Sequence, residues 1–250
     1  MPDHPYLSLI LPAYNEAQRI AKTVGDARSY LEQRGFTYEI IVVADGNDGT
    51  RERVTEMART DPTLKVLGSA ERRGKGYGIR QGVAQAQGHI VGFADADNKT
   101  PIEEFDKLEP WLSKGYEVAI GSRALRESCI EKAQPLHRRL GSKAFALFLH
   151  TLVGLSDITD SQCGFKFFQR PVALDLFSRQ KIDGYMFDVE ILYLAERAGY
   201  RIAQAPVRWR DDADSRFGVA EAVRDALDIL RIRWWAWRNS RPKIVPGESR

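Results

Sequence analysis

His89-Ile90-Val91-Gly92-Phe93-Ala94-Asp95-Ala96-Asp97-Asn98-Lys99-Thr100-Pro101 is an apolar run that ends in two carboxylates one residue apart. A short run bounded by glycine and polar turn residues reads as a buried strand. That places Asp95 and Asp97 at its carboxyl end, the edge where open α/β sheets bind ligands. Alternation along an extended segment predicts that both carboxylates face one way, close enough to hold Mg²⁺ or Mn²⁺ against a diphosphate. An isolated Asp-x-Asp is more often a pair of solvated turn residues, so the reading depends on its neighbours.

Upstream, the pattern is strand, loop, helix, repeated. Tyr6 to Leu11 reads as a strand followed by the loop Pro12 to Glu16, and a helix from Ala17 to Arg34 puts Ile20, Val24, Ala27 and Leu31 on one stripe. Tyr38 to Val43 is a second strand running into Ala44-Asp45-Gly46-Asn47-Asp48-Gly49-Thr50, a turn dense in glycine and Asx residues. A helix from Thr50 to Arg59, a strand from Leu64 to Leu67 and a helix from Gly76 to Gln87 lead back to the Asp-x-Asp strand. Repeated βαβ units predict a mainly parallel sheet with three polar loops at one edge.

Those loops suit a nucleotide. Glu16 and Asp45 can accept from base N–H groups, Tyr14 offers a ring and a hydroxyl, and backbone at Pro12 and Ala13 can approach a base closely. Arg72-Arg73-Gly74-Lys75-Gly76-Tyr77-Gly78 is a basic, glycine-rich lead into a helix, a geometry that receives phosphate oxygens and gives Lys75 a donor-binding role. It lacks the Walker A spacing, and a plain surface turn is the alternative.

Composition sets the bounds. The 250 residues are 43% hydrophobic and 28% charged, ordinary for a soluble globule. A net charge of +3 is too small to argue for nucleic acid, although the stretch from Glu221 onward is locally basic. Cys129 and Cys163 are too few for a disulfide framework or a zinc site and read as free thiols in a reducing compartment. The first residues show no signal-peptide pattern, and no run of eighteen apolar residues occurs. The expectation is a cytoplasmic protein, peripheral on a membrane at most.

The order PAYNE (12–16), VVADGNDGT (42–50), RRGKGYG (72–78), FADAD (93–97) and IGSRA (120–124) resembles the family 2 glycosyltransferases of GT-A fold. DSQCGFKFF (160–168), FDVE (187–190) and PVRW (206–209) look like the dolichyl-phosphate glucosyltransferase and dolichyl-phosphate mannose synthase branch. The resemblance implies a Rossmann-like, mainly parallel sheet flanked by helices. It also implies a nucleotide-sugar site at Pro12, Ala13, Tyr14, Glu16, Asp45, Lys75, Asp95 and Ala96, with a metal on Asp95 and Asp97. Arg123 and Arg138 match basic positions associated with the donor diphosphate or the acceptor phosphate, and Lys166 and Arg216 are further acceptor-phosphate candidates. Two departures stand out: Ala44 replaces the first carboxylate of the usual Asp-Asp-Gly turn, and Asn98-Lys99 follows the metal motif where mannose synthases tend to have Leu-Gln.

The chemistry fits these residue types. A departing nucleoside diphosphate needs its charge neutralised, which a cation on Asp97 together with Arg and Lys groups supplies. A hydroxyl acceptor needs a base, for which Asp188 or Asp160 is the candidate, whereas a phosphate monoester is already anionic at neutral pH and needs cations instead.

The C-terminal part is read as an amphipathic helix. From about Ala220 to Arg238, Val223, Ala226, Leu227, Leu230, Trp234 and Trp237 recur at helical spacing among arginines, which suits either core packing or a membrane interface. Leu140 to Leu155 is a second amphipathic stretch. The expected organisation is a GT-A domain over residues 1–220, the helix over 221–238 and a flexible tail over 239–250. The expected activity is metal-dependent, inverting transfer of a hexose to a polyprenyl phosphate, from UDP-glucose by preference with GDP-mannose open. A family 2 enzyme with a hydroxyl acceptor and a non-catalytic nucleotide-sugar binding module are the alternatives.

Overall fold

A computed structural model describes residues 4–130, 153–210, 225, 227–232 and 234–235 of the chain. β1 (Leu7–Tyr14), α1 (Ile20–Gln33), β2 (Tyr38–Asp45), α2 (Thr50–Ala58), β3 (Leu64–Leu67), α3 (Lys75–Gln85) and β4 (Ile90–Ala94) alternate as the apolar periodicity predicts. A 3-10 turn (Ile102–Glu104), α4 (Phe105–Ser113), β5 (Val118–Ser122) and the short β6 (Cys129–Ile130) follow. After residue 153 come β7 (Phe165–Gln169), α5 (Arg170–Arg179), α6 (Phe187–Ala198), β8 (Ile202–Pro206) and β9 (Arg208–Trp209). Helix α1 begins three residues later than the pattern suggested. Asn15 takes a left-handed backbone (φ 55°), and residues 16–19 close a turn through the Glu16 carbonyl, which accepts from Arg19 and Ile20 N–H.

Seven strands form one sheet in the order β3-β2-β1-β4-β7-β5-β8. Every pairing is parallel except those of β7, which runs antiparallel between β4 and β5; β6 and β9 make a separate parallel pair. The expected mainly parallel sheet flanked by helices is therefore present. Alternate residues feed two cores. Ile10, Ile41, Val43, Phe93 and Phe168 pack on one side with Ile79 and Val83 of α3 and Phe187 of α6. Leu9, Leu11, Val42, Phe165 and Phe167 pack on the other with Val24 and Leu31 of α1 and Phe105 of α4. Burial on both faces is why these strands read as near-continuous apolar runs.

The topology brings β1, β2, β4 and β5 to a common edge at their carboxyl ends, and the reversed β7 begins there. Tyr14 pairs in register with Asp45, and Ala94 with Phe165. Cys163 and Gly164, just before β7, thus reach the same edge as Asp95.

Phe105 packs in a tilted arrangement against Phe167, with ring centroids 4.5 Å apart. It is fully buried, so Phe105→Ala should lower stability by about 3–5 kcal/mol through loss of packing. Urea unfolding with an unchanged denaturant slope is the measurement.

Candidate active site

The carboxylate motif is a turn and not an extended segment, which corrects the alternation argument. β4 stops at Ala94, the Asp95 carbonyl accepts from Asn98 N–H at 3.1 Å, and Asn98 adopts a left-handed backbone (φ 56°) that asparagine tolerates. Helix α1 braces the turn: Thr23 Oγ1 donates to the Ala96 carbonyl at 2.8 Å and Asn98 Nδ2 to Asp26 Oδ2 at 3.0 Å. The Ala96 side chain is buried in the core beneath the turn.

The first two loops are locked together. Asp48 accepts from Ala17 N–H at 3.0 Å and from Thr50 N–H at 3.0 Å, while Thr50 Oγ1 accepts from Glu16 N–H at 2.9 Å. Asp45, buried at the end of β2, uses both oxygens to hold the next loop, accepting from Ser69 N–H at 3.2 Å and Arg73 N–H at 3.0 Å. Tyr14 is exposed, with the Arg72 guanidinium 4.6 Å above its ring. Asn15 belongs in this cluster although the sequence reading passed it over. Its Oδ1 is buried with no hydrogen-bond partner among the described residues, beside Gly46, a demand for a donor that the sequence alone does not reveal.

The glycine-rich lead into α3 is pinned, not loose. Gly74 adopts φ 112°, and a Cβ there would collide with the Asp183 carbonyl, so only glycine lets the start of α3 rest on the 182–184 backbone. Tyr77 N–H donates to that carbonyl at 3.2 Å, and Arg80 pairs with Asp183 at 2.7 Å. Lys75, the first residue of α3, places Nζ 2.5 Å from Asp95 Oδ1. Burial works against its charge, but Asp95 and Asp188 outweigh it and raise the ammonium's pKa above the lysine value.

Arg123 follows β5. Asp160 accepts from its Nε at 2.7 Å, its Nη2 at 2.9 Å and its backbone N–H at 2.9 Å, and the guanidinium lies 5.4 Å from the Trp209 ring centroid. Among the described residues Nη1 is left for another acceptor. Burial raises the Asp160 pKa, but Arg123 more than reverses it, so this carboxylate is held below the usual range. It is a poor base.

Two expectations are overturned here. Lys166 is fully buried, and its Nζ donates to Asp188 Oδ1 and to the Cys163 carbonyl, each at 2.6 Å, so it is not an exposed acceptor-phosphate ligand. Asp188 is buried with it and is not presented as a general base; burial raises its pKa while Lys166 and Lys75 pull the other way. Alternation explains both: between the core phenylalanines Phe165 and Phe167, Lys166 points to the opposite face and meets the first turn of α6. Cys129 and Cys163 are free thiols, and burial pushes the Cys163 thiol up to about 12. Arg138 and Arg216 lie outside the described residues.

The family model for glycosyl transferase family 2 matches residues 8–177, from β1 into α5, which takes in Tyr14, Asp45, Lys75, Asp95, Asp97 and Arg123 and stops short of Asp183 and Asp188. The chain belongs to that family. It is a glycosyltransferase with family 2 relatives across nearly its whole length. It is 35% identical to the dolichyl-phosphate beta-glucosyltransferase ALG5C of Trichomonas vaginalis, over 92% of this chain and 72% of the relative. It is 37% identical to the dolichyl-phosphate beta-glucosyltransferase of Drosophila melanogaster and 34% to that of Homo sapiens, each over 93% of this chain and 77% of the relative. Among solved structures it is similar to mannosyl-3-phosphoglycerate synthase from Rubrobacter xylanophilus (TM-score 0.69, 17% identity, 98% of this chain and 79% of that one). It is also similar to glucosyl-3-phosphoglycerate synthase from Mycobacterium tuberculosis in complex with Mn²⁺ and UDP-glucose (TM-score 0.67, 22% identity, 98% and 83%). These two establish the GT-A fold.

The family 2 donor set fits a divalent ion of a particular kind. Among the described residues no three potential ligands of the His, Cys, Asp and Glu types cluster. A pair of carboxylates suits Mg²⁺ or Mn²⁺ when substrate oxygens complete its shell.

Removing one partner of the Lys166–Asp188 pair strands the other in the core. Lys166→Met should therefore cost about 3–5 kcal/mol, while the double change Lys166→Met with Asp188→Leu should recover most of it. Equilibrium unfolding of the three proteins makes the comparison.

Proposed function

We propose that this glycosyltransferase moves glucose from UDP-glucose to a polyprenyl phosphate of the dolichyl type, with inversion at the anomeric carbon. The observation that carries the acceptor class is the state of the two carboxylates that could act as a base. Asp160 is clamped by Arg123, and Asp188 is buried on Lys166. A phosphate acceptor needs neither, because its second pKa near 6 leaves it largely dianionic at neutral pH. The names of the relatives quoted above support the same acceptor and the sugar.

In this reading the base and ribose lie by Tyr14, Asn15 and the backbone of Pro12 and Ala13, with Glu16 and Asp45 shaping the pocket. The diphosphate meets the start of α3, where Lys75 and the helix amides favour negative charge. A divalent ion on Asp95 and Asp97, when bound, neutralises the nucleoside diphosphate as it departs. Arg123, fixed in orientation by Asp160 and Trp209, offers Nη1 to the acceptor phosphate, whose oxygen forms the new bond to the anomeric carbon as the bond to the diphosphate breaks.

A lipid acceptor requires contact with a membrane surface. No helix among the described residues is long and apolar enough to cross one. The C-terminal helical segment instead buries Asp225, Asp228, Ile229 and Ile232 and exposes Leu227, Leu230 and Trp234, three residues on one helical stripe. That stripe, next to Arg231, is the face we assign to the membrane interface.

The test is transfer of labelled glucose from UDP-glucose to a short polyprenyl phosphate, with GDP-mannose as the competing donor and a free sugar as the competing acceptor. Lipid-linked glucose is the expected product, and Asp97→Ala should lower the rate by about 10²–10³-fold. Product formed only with GDP-mannose, or only on the free sugar, defeats the proposal.

A further inference from the structure

Both carboxylates of the metal motif already carry an ammonium. Lys75 Nζ is 2.5 Å from Asp95 Oδ1, and Lys99 Nζ is 2.9 Å from Asp97 Oδ2. A divalent ion entering between these aspartates meets two resident positive charges at the oxygens it needs, and like charges at such separations repel strongly. The two lysines are built differently. Lys99 is tethered two residues from its aspartate, with its own N–H donating to Asp97 Oδ1 at 3.2 Å, so backbone and ammonium both serve the same carboxylate. Lys75 reaches Asp95 from another element, the first turn of α3, whose backbone is fixed by Gly74 against Asp183. Its four-carbon stem starts at the helix end that receives phosphate, so the same ammonium can serve Asp95 or a diphosphate.

We infer that Lys75 is an exchangeable counter-cation: it holds Asp95 while the site lacks donor, and transfers to the diphosphate when metal and nucleotide enter together. This rests on the donor and metal reading given above and extends it. Metal alone has to displace Lys75 from Asp95 and leaves it only the attraction of Asp188, whose carboxylate is already bonded to Lys166, so it binds weakly. A nucleoside diphosphate supplies a destination. The coupling between metal and nucleotide thus exceeds what direct ligation of the metal by phosphate provides, and by linkage each ligand raises the affinity of the other by the same factor. Lys99 belongs to the same turn as Asp97 and not to the start of α3, so it lowers metal affinity alike with and without nucleotide.

Calorimetric titration of Mn²⁺ into the full chain, with and without saturating UDP, reads both effects without turnover. Lys75→Met should tighten Mn²⁺ binding in the absence of UDP by about tenfold and shrink the factor by which UDP improves it by a similar amount. Lys99→Met should tighten Mn²⁺ binding in both conditions and leave that factor unchanged. Lys75→Gln, which keeps a polar tip over the same stem, repeats the first measurement should the methionine variant fail to fold by circular dichroism. Unchanged or weaker Mn²⁺ binding by the Lys75 variants without UDP, or an undiminished coupling factor, overturns the exchange. Wild-type chain that binds neither Mn²⁺ nor UDP instead removes the donor-site reading itself, a result separable from the first because it appears before any variant is made.

Discussion

A lysine ammonium with no access to water has to be balanced inside the protein, and Lys166 makes that demand at the centre of the sheet. One of its bonds reaches across to Asp188 on α6 and the other back to the Cys163 carbonyl just ahead of β7. The second bond fixes the 163–164 backbone, and Gly164 lies against the Asp95 carboxylate so closely that a Cβ there would overlap it. The first fixes the start of α6, whose Phe187 packs against the beginning of α3. The buried pair therefore sets the position of the groups on either side of Asp95 without touching a ligand.

Much of this was legible in the sequence. The βαβ order from Tyr6 to Ala94 followed from apolar periodicity, because a sheet covered on both faces needs unbroken apolar runs and the polar residues must gather at strand ends. The gathering of Tyr14, Asp45, Lys75, Asp95 and Arg123 at one edge followed from the parallel topology. Geometry finer than one residue did not. The Asp-x-Asp segment turns because Asn98 accepts a left-handed backbone, and period-two reasoning cannot register one residue leaving the extended region. Lys166, a candidate for the acceptor phosphate by resemblance, is bonded to a carboxylate twenty-two positions away, a pairing that the sequence does not reveal. Asn15 was missed because an unsatisfied oxygen is visible only in three dimensions.

The loops at the site are rigid for a reason that bears on catalysis. Asp48 ties its turn to the loop after β1 and Asp45 ties β2 to the loop after β3 by side-chain to backbone bonds, and the Asp183 carbonyl holds the start of α3 through Tyr77 N–H. Donors and dipoles held in place before the substrate arrives need no reorganisation during reaction, which is where most electrostatic stabilisation of a departing diphosphate comes from. The carboxylates that do this holding are thereby withdrawn from proton transfer.

Charge balance at the edge carries the argument one step further. Lys75 with Asp95, Lys99 with Asp97, Arg123 with Asp160 and Lys166 with Asp188 form pairs of one cation to one anion, so this set is neutral by itself. A divalent ion arriving with a doubly charged nucleotide sugar keeps it neutral. An acceptor phosphate then adds about −1.5 to −2 that nothing in the set offsets. The sequence places Lys132, Arg138, Arg139 and Lys143 in the connection between β6 and residue 153, and Arg210 and Arg216 just past β9, the strand that pairs with β6. On the proposed reading the charge to offset it comes from the first of these connections, where one acid, Glu131, stands among those four cations, whereas Arg210 and Arg216 are matched in the sequence by Asp211, Asp212 and Asp214.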